Sequence, residues 1–283
     1  MADVLIVGCG GIGSGLALQL SAQGHRVTGL KRRPPPGQSS FAYVAADITR
    51  AETLQAVGTG FDQVFFIVSA DGRSEQSYRD VYQTGLDNVL ARFAGRPMIF
   101  VSSTSVYGQC RGEWVDEMSE AEPEPFNGRW LRQAETRVLS ANSENTVVRF
   151  SGIYGPGRDY LLKKAAAAPL IQRTPPYYTN RIHQQDCIGV LSFLLARRLA
   201  GAALDSCYLA SDDDPAPLWE VVSWLAERMH CPPPAAQAVA GEAPMNKRCR
   251  NARLKALGYR FLFPSYKDGY GDRLKETADS TGQ

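Results

Sequence analysis

A short apolar strand that runs straight into a glycine turn and then a helix constrains this chain more than any other feature. Asp3-Val4-Leu5-Ile6-Val7 reads as a buried strand, and Gly8-Cys9-Gly10-Gly11-Ile12-Gly13 is a GxGxxG. Ile12, Leu16, Leu18 and Leu20 then place an amphipathic helix as far as about Gln23. This sequence of parts builds a dinucleotide-phosphate site: one glycine allows the tight turn, the next lets the backbone approach a pyrophosphate, and the third lets helix pack close to strand. The free N–H groups and the positive dipole end of the helix then face the anion. A glycine-rich turn with nothing bound is the competing reading. The second strand, Arg26 to Leu30, and its place in the repeat favour the nucleotide site.

Strands and helices keep alternating to about residue 150. Phe41-Ala42-Tyr43-Val44 is the third strand, and Thr53, Leu54 and Val57 sit on a short helix. Val64 to Val68 is a continuous apolar run, the pattern of a parallel strand buried on both faces. Tyr82, Leu86, Val89, Leu90 and Phe93 fall on one helical face. Met98–Val101 and Thr146–Phe150 are the fifth and sixth strands, with a helix over Trp130–Ser140 between them. The expected fold is therefore α/β: a Rossmann-like doubly wound parallel sheet with right-handed crossovers and a small C-terminal substrate-binding subdomain.

The pattern loosens after Phe150. Gly152–Gly157 reads as a turn-rich loop, with helices from about Tyr160, from Gln185 to Leu199 and from Leu218 to Met229, and a strand over Ala203–Leu209. The triple prolines Pro34–Pro36 and Pro232–Pro234 mark surface loops. The domain expectation is a dinucleotide-binding domain over 1–155, a substrate-binding region over 156–275 that partly returns to the sheet, and a frayed tail over 276–283.

Bulk composition narrows the class of partner. The 31 basic and 29 acidic residues nearly cancel, and no basic stripe interleaves with aromatics, so nucleic acid is not expected. No apolar run approaches the ~20 residues of a membrane span. With the first strand at the start of the chain and no leader ahead of it, the expected location is cytoplasmic. The six cysteines, Cys9, Cys110, Cys187, Cys207, Cys231 and Cys249, form no CxxC pair, and the three histidines offer no metal-ligand spacing. Cys9 lies inside the glycine turn, where alkylation would block a bound coenzyme. The expected partner is a small molecule, with the oligomeric state left open.

Four segments taken in order resemble the extended short-chain dehydrogenase/reductase superfamily, the group of NAD-dependent epimerases and dehydratases. They are the glycine turn, Phe100-Val101-Ser102-Ser103-Thr104-Ser105-Val106-Tyr107-Gly108, Val148-Arg149-Phe150-Ser151-Gly152-Ile153-Tyr154-Gly155-Pro156-Gly157-Arg158, and Asn180-Arg181-Ile182-His183-Gln184-Gln185-Asp186. The chemistry of that family uses a tyrosine with a lysine four residues later, the lysine lowering the phenol pKa so that it can pass a proton. Aligning Ala134-Glu135 with the family's usual pair puts Asn127 at the tyrosine and Leu131 at the lysine. Tyr160 and Lys164 have the right spacing but lie beyond the sixth strand. The resemblance is therefore to atypical members without the catalytic pair.

The resemblance also implies a set of site residues. Ser103 holds the substrate oxygen, with Tyr107 or His183 as the replacement proton donor; Tyr107 reads also as a packing residue and His183 as a hydrogen-bonded structural one. Thr104, Tyr154, Arg158 and Arg181 line the substrate pocket. Besides Gly8, Gly10, Gly11, Ile12 and Gly13, the coenzyme meets Asp47, Ile48, Ser69, Ala70, Ser102 and Ile153. Asp47 reads equally as a helix cap. Arg129 and Arg132 could hold an anionic substrate or be solvated. At the end of the second strand, where an acidic residue would hold a ribose 2′-hydroxyl, stand Lys31, Arg32 and Arg33, which favours NADP with NAD as the alternative; a solvated basic loop stiffened by Pro34–Pro36 is the competing reading. The functional expectation is an NAD(P)-dependent oxidoreductase or epimerase/dehydratase-like enzyme acting on a small polar carbonyl or hydroxyl compound with a non-standard proton donor. The alternatives are a non-catalytic NADP-binding sensor or scaffold, and a coenzyme-independent isomerase or cyclase on the same fold.

Overall fold

Apolar runs with both faces apolar can only be buried in the middle of a layered sheet, and that is where they lie. The computed structural model describes residues 1–37, 39–239 and 244–281. In chain order the elements are β1 (Asp3–Val7), α1 (Gly11–Ala22), β2 (Arg26–Lys31), β3 (Ala42–Ala45), a 3-10 turn (Ala51–Ala56), β4 (Gln63–Phe66), α2 (Glu75–Arg79), a π-helical segment (Asp80–Gly85), α3 (Leu86–Arg92) and β5 (Met98–Ser103). Next come β6 (Glu113–Val115), α4 (Phe126–Ala141), β7 (Thr146–Phe150), β8 (Gly152–Tyr154), α5 (Tyr160–Ala166), β9 (Leu170–Gln172), β10 (Tyr178–Thr179), β11 (Arg181–His183), α6 (Gln184–Leu199) and β12 (Cys207–Ala210). The chain ends with β13 (Ala216–Pro217), α7 (Leu218–Arg228), β14 (Ala235–Gln237), β15 (Lys247–Cys249), α8 (Ala252–Ala256) and α9 (Tyr266–Thr281).

Seven strands form one sheet in the order β12-β7-β5-β4-β1-β2-β3. The pairings from β3 across to β5 are parallel, with Val4 opposite both Val27 and Gln63. Leu5, Ile6, Val64, Phe65, Ile99 and Phe100 are fully buried, and the Phe66 and Phe100 rings stack at 5.5 Å between centroids. Helix α1 closes one part of this layer with Leu16, Ala17 and Leu20, and α4 another with Leu131, Ala134 and Val138. Strand order runs outward from β1 to β2 and β3 on one side and to β4 and β5 on the other. The gap between β1 and β4 is thus the switch point at which such sheets bind ligands.

The chain divides into two bodies. The first comprises Met1–Val106, Ala121–Arg149 and Ile188–Tyr208, and the second Tyr107–Glu120, Phe150–Cys187 and the chain from Leu209 on. The second has its own core, in which Ala165, Ile171, Val221, Val222, Leu225 and Tyr270 pack together.

Three stretches depart from the sequence expectation. The helix expected around Tyr82–Phe93 begins at Glu75 and contains a π-helical segment, which a search for a 3.6-residue period does not detect. The expected loop at Gly152–Gly157 starts as β8, which pairs in parallel with β11 and sets Ile153 beside Ile182. That pairing spans about thirty residues and leaves no local signature in a glycine-rich segment. Helix α9 runs to Thr281, over most of the stretch expected as a frayed tail; residues 282 and 283 lie outside those described. Pro34–Pro36 and Pro232–Pro234 lie outside helices and strands, although Pro234 is buried.

Candidate functional site

The glycine turn is held by the strands around it. The N–H groups of Gly8 and Cys9 both donate to the Leu30 carbonyl, at 3.1 and 3.3 Å, and that of Gly10 to Gly8. Gly8 has a φ of +97°, and a Cβ there would stand 2.5 Å from the Ile67 carbonyl oxygen. A Cβ on Gly13 would run into the carbonyl of Gly8, so only glycine lets α1 sit this close to β1. Gly10 and Gly11 differ: a Cβ on either would meet nothing within 4 Å. Gly10 is the N-cap of α1 and brings no side chain to cap it. By their place in the first turn, the N–H groups of Gly11, Ile12 and Gly13 have no intrahelical acceptor. The sequence has thus cleared a space directly in front of unsatisfied amides.

That space opens into a cleft of about 420 Å³ at the C-terminal ends of β1 to β4. Of the residues expected at a coenzyme, Gly8, Gly10, Lys31, Arg32, Asp47, Ile48 and Ser69 line it. Gly11, Ile12 and Gly13 form the helix start behind it. Arg33 lines an adjoining hollow of about 630 Å³ together with Lys31, Arg32, Asp47 and Arg50. Asp47 acts as a local cap, its Oδ1 accepting from the Thr49 N–H (3.0 Å) and Thr49 hydroxyl (2.8 Å), while it also borders the cleft. Arg32 is engaged by Asp71 from the loop after β4, with Nη1–Oδ2 at 2.5 Å and Nη2–Oδ1 at 2.6 Å. The sequence reading missed Asp71, and also Asp80 and Val81, which reach the cleft from the π-helical segment. The Tyr82 hydroxyl fixes that segment by donating to the Val68 carbonyl at 3.1 Å.

Cys9 is fully buried in the turn, and burial pushes its thiol up to about 12. Burial thus disfavours the thiolate that alkylation needs, although Cys9 borders the cleft.

The end of β5 carries Ser102, Ser103 and the start of a 3-10 turn at Thr104. The Ser103 hydroxyl accepts the N–H of Ser105 at 3.1 Å, and Thr104 is buried. Ser102 and Ala70, expected at the coenzyme, do not line the cleft. The Ser102 hydroxyl donates instead to Glu135 Oε1 at 2.6 Å. Glu135, buried on α4, also accepts Arg149 Nε at 2.9 Å and Nη2 at 2.6 Å, and Arg132 Nη1 at 3.4 Å. Arg132 is thereby tied to its own helix, and Arg129 donates to the Glu124 carbonyl. Asn127 and Leu131 occupy the first turns of α4, with Leu131 buried.

The remaining expected residues lie in the second body. The Tyr107 side chain is buried and its phenol donates to the Asp116 carbonyl at 2.7 Å, a packing role for that ring. Ile153 and Tyr154 are on β8, and Arg181 and His183 on β11, in register. The Tyr154 and His183 rings meet edge to face at 5.2 Å. The Tyr154 hydroxyl donates to Ser265 O at 3.3 Å, and burial raises its pKa. His183 Nδ1 accepts the Gln185 N–H at 3.3 Å, which places the proton of the neutral ring on Nε2. Arg181 is buried, with Nη2 on Thr179 Oγ1 and its guanidinium 5.2 Å over the Tyr266 ring. Its Nε and Nη1, and Oδ2 of buried Asp212, have no hydrogen-bond partner among the described residues. Burial lowers the Arg181 pKa and raises that of Asp212. Arg158 is exposed, as is Tyr160 of the Tyr160–Lys164 pair on α5. No group of three or more metal-ligating side chains occurs among the described residues.

The family model for the NAD dependent epimerase/dehydratase family matches residues 4–199. The chain belongs to that family. A solved structure from Methylobacillus flagellatus, provisionally described as an NAD-dependent epimerase/dehydratase, is 35% identical and superposes with a TM-score of 0.84 over 98% of this chain and 99% of that one. Protein YeeZ of Escherichia coli strain K12 is 28% identical over 223 residues, 73% of this chain and 78% of its own. The structure of MoeE5 in complex with UDP-glucose and NAD, 22% identical, shares the fold with a TM-score of 0.76 over 99% of both chains. No helix among the described residues of this epimerase/dehydratase family member is long and apolar enough to cross a membrane.

Proposed function

We propose that this protein is a nicotinamide-dinucleotide enzyme that prefers NADP and acts on a small polar carbonyl or hydroxyl compound. The observation that carries the reading is the cleared space at Gly10 and Gly11, set before the first-turn amides of α1 and opening into the cleft. It fits a bridging diphosphate, because a side chain at either position would occupy the space the anion needs. Membership of an NAD-dependent family supports the same assignment. The preference for the 2′-phosphorylated form rests on Lys31, Arg32, Arg33 and Arg50 around the adjoining hollow, with no carboxylate at the end of β2. When bound, the nicotinamide supplies or accepts a hydride.

The chain's own work is orientation and proton handling. Ser103, at the C-terminal end of β5, donates its hydroxyl to the reacting oxygen and holds it in place. The N–H of Ser105 on its Oγ fixes the rotamer from which that proton is offered. The proton is supplied by a group other than a tyrosine–lysine pair on α4, where Asn127 and Leu131 stand at the aligned positions.

The test is NADPH oxidation, followed by absorbance, against a panel of small hydroxy-ketones, aldehydes and keto acids. Turnover with one class, falling by about 10²-fold or more in Ser103→Ala, is the expected outcome. Saturable coenzyme binding with no turnover across the panel would make the protein a coenzyme-binding sensor instead.

A further inference from the structure

We propose that Asp71 tunes coenzyme specificity by holding Arg32 in the place that a 2′-phosphate would take. The inference rests on the NADP reading above and concerns a residue on a different loop from the basic cluster. Arg32 and Asp71 both line the cleft, one from the end of β2 and the other from the loop after β4. Their two short contacts form a fork-to-fork pair, the geometry in which a guanidinium also grips a phosphate. The cation that a 2′-phosphate would use is thus already occupied by a carboxylate, and the pair ties the two loops together across the mouth of the cleft.

The balance favours exchange. Arg32 and Asp71 side chains are 57% and 63% exposed, so the pair is screened and contributes little to folding. A phosphate monoester carries a charge of roughly −1.5 to −2 and three acceptor oxygens, against one charge and two oxygens on Asp71. Lys31 and Arg33 border the adjoining hollow, which Asp47 and the Glu52-paired Arg50 also line, and they attract the more highly charged phosphate more strongly than a single carboxylate. A 2′-phosphorylated coenzyme therefore displaces Asp71 from Arg32, while NADH leaves the pair intact. Asp71 lowers affinity for NADPH and has no effect on affinity for NADH.

The experiment is equilibrium titration of the wild-type chain, Asp71→Asn, Arg32→Ala and the double variant with NADPH, NADH and 2′,5′-ADP, the last isolating the phosphorylated adenosine end. Asp71→Asn is expected to tighten NADPH and 2′,5′-ADP by about two- to fivefold, the scale of an exposed pair, and to leave NADH unchanged. Arg32→Ala should weaken the phosphorylated ligands more than NADH, and in its background Asp71→Asn should no longer tighten them. Binding of NADPH at an unchanged ratio to NADH in Asp71→Asn overturns the proposal alone. So does weaker NADH binding in that variant, which would make Asp71 a ribose-hydroxyl acceptor. Failure of the wild-type chain to bind any of the three overturns the reading of the cleft, and the proposal with it.

Discussion

At the scale of single residues, the glycine turn separates two demands that a motif search merges. Gly8 and Gly13 serve the fold, since a Cβ at either collides with backbone; a Cβ on Gly10 meets nothing, and the proposed diphosphate would take up that space. Gly13→Ala should therefore lower the melting temperature markedly, while Gly10→Ala should leave it within a degree or two and weaken NADPH by about tenfold or more. Thermal unfolding and titration of the same two variants check both halves. Cys9 supplies a second prediction. Its thiol is buried and pushed up to about 12, so the reactive thiolate is scarce throughout the neutral range. Iodoacetamide at pH 8 should label the partly exposed Cys110 and Cys231 well before Cys9 by peptide mass spectrometry. Rapid Cys9 labelling would mean that the turn opens. The GxGxxG was legible because each glycine answers a local need. Asp71 was not, because its meaning comes from an arginine 39 residues earlier, brought near only by the sheet.

Elements carry the next level of meaning. Strands β1, β4 and β5 could be read from sequence because burial on both faces leaves an unbroken apolar run. Helix α4 could be read from its period, but not what it holds. Glu135 looked like part of a family signature, and in the structure it ties α4 to β5 through Ser102 and to β7 through Arg149. Removing one member of a buried pair leaves the other charge uncompensated, so Glu135→Ala should cost about 3–5 kcal/mol in urea unfolding. Simultaneous replacement of Glu135 and Arg149 by methionine and leucine should recover most of that loss. If Glu135→Ala costs under 1 kcal/mol, the cluster is not the brace described here. The helix spanning Glu75–Arg92 shows the limit of periodicity. Its π-helical segment, pinned by Tyr82 to Val68, brings Asp80 and Val81 to the cleft, and an extra residue in a turn has no signature in an apolar count.

For the whole molecule, sheet order matters more than any one motif. Because β1 lies centrally with β2 and β3 on one side and β4 and β5 on the other, the loops after β1 to β4 converge on one crevice. Alternating strands and helices implied that arrangement before any coordinates, whereas the β8–β11 pairing depended on contacts the sequence does not encode locally. On the proposed reading, amides at the start of α1 grip a dinucleotide diphosphate in that crevice. Calorimetric titration of NADPH into wild-type and Gly10→Val protein tests it most directly. Saturable one-to-one binding to the wild-type chain and none to an equally stable Gly10→Val is the expected outcome. Equal binding by the two, or no heat from either NADPH or NADH with the folded wild-type chain, would contradict it.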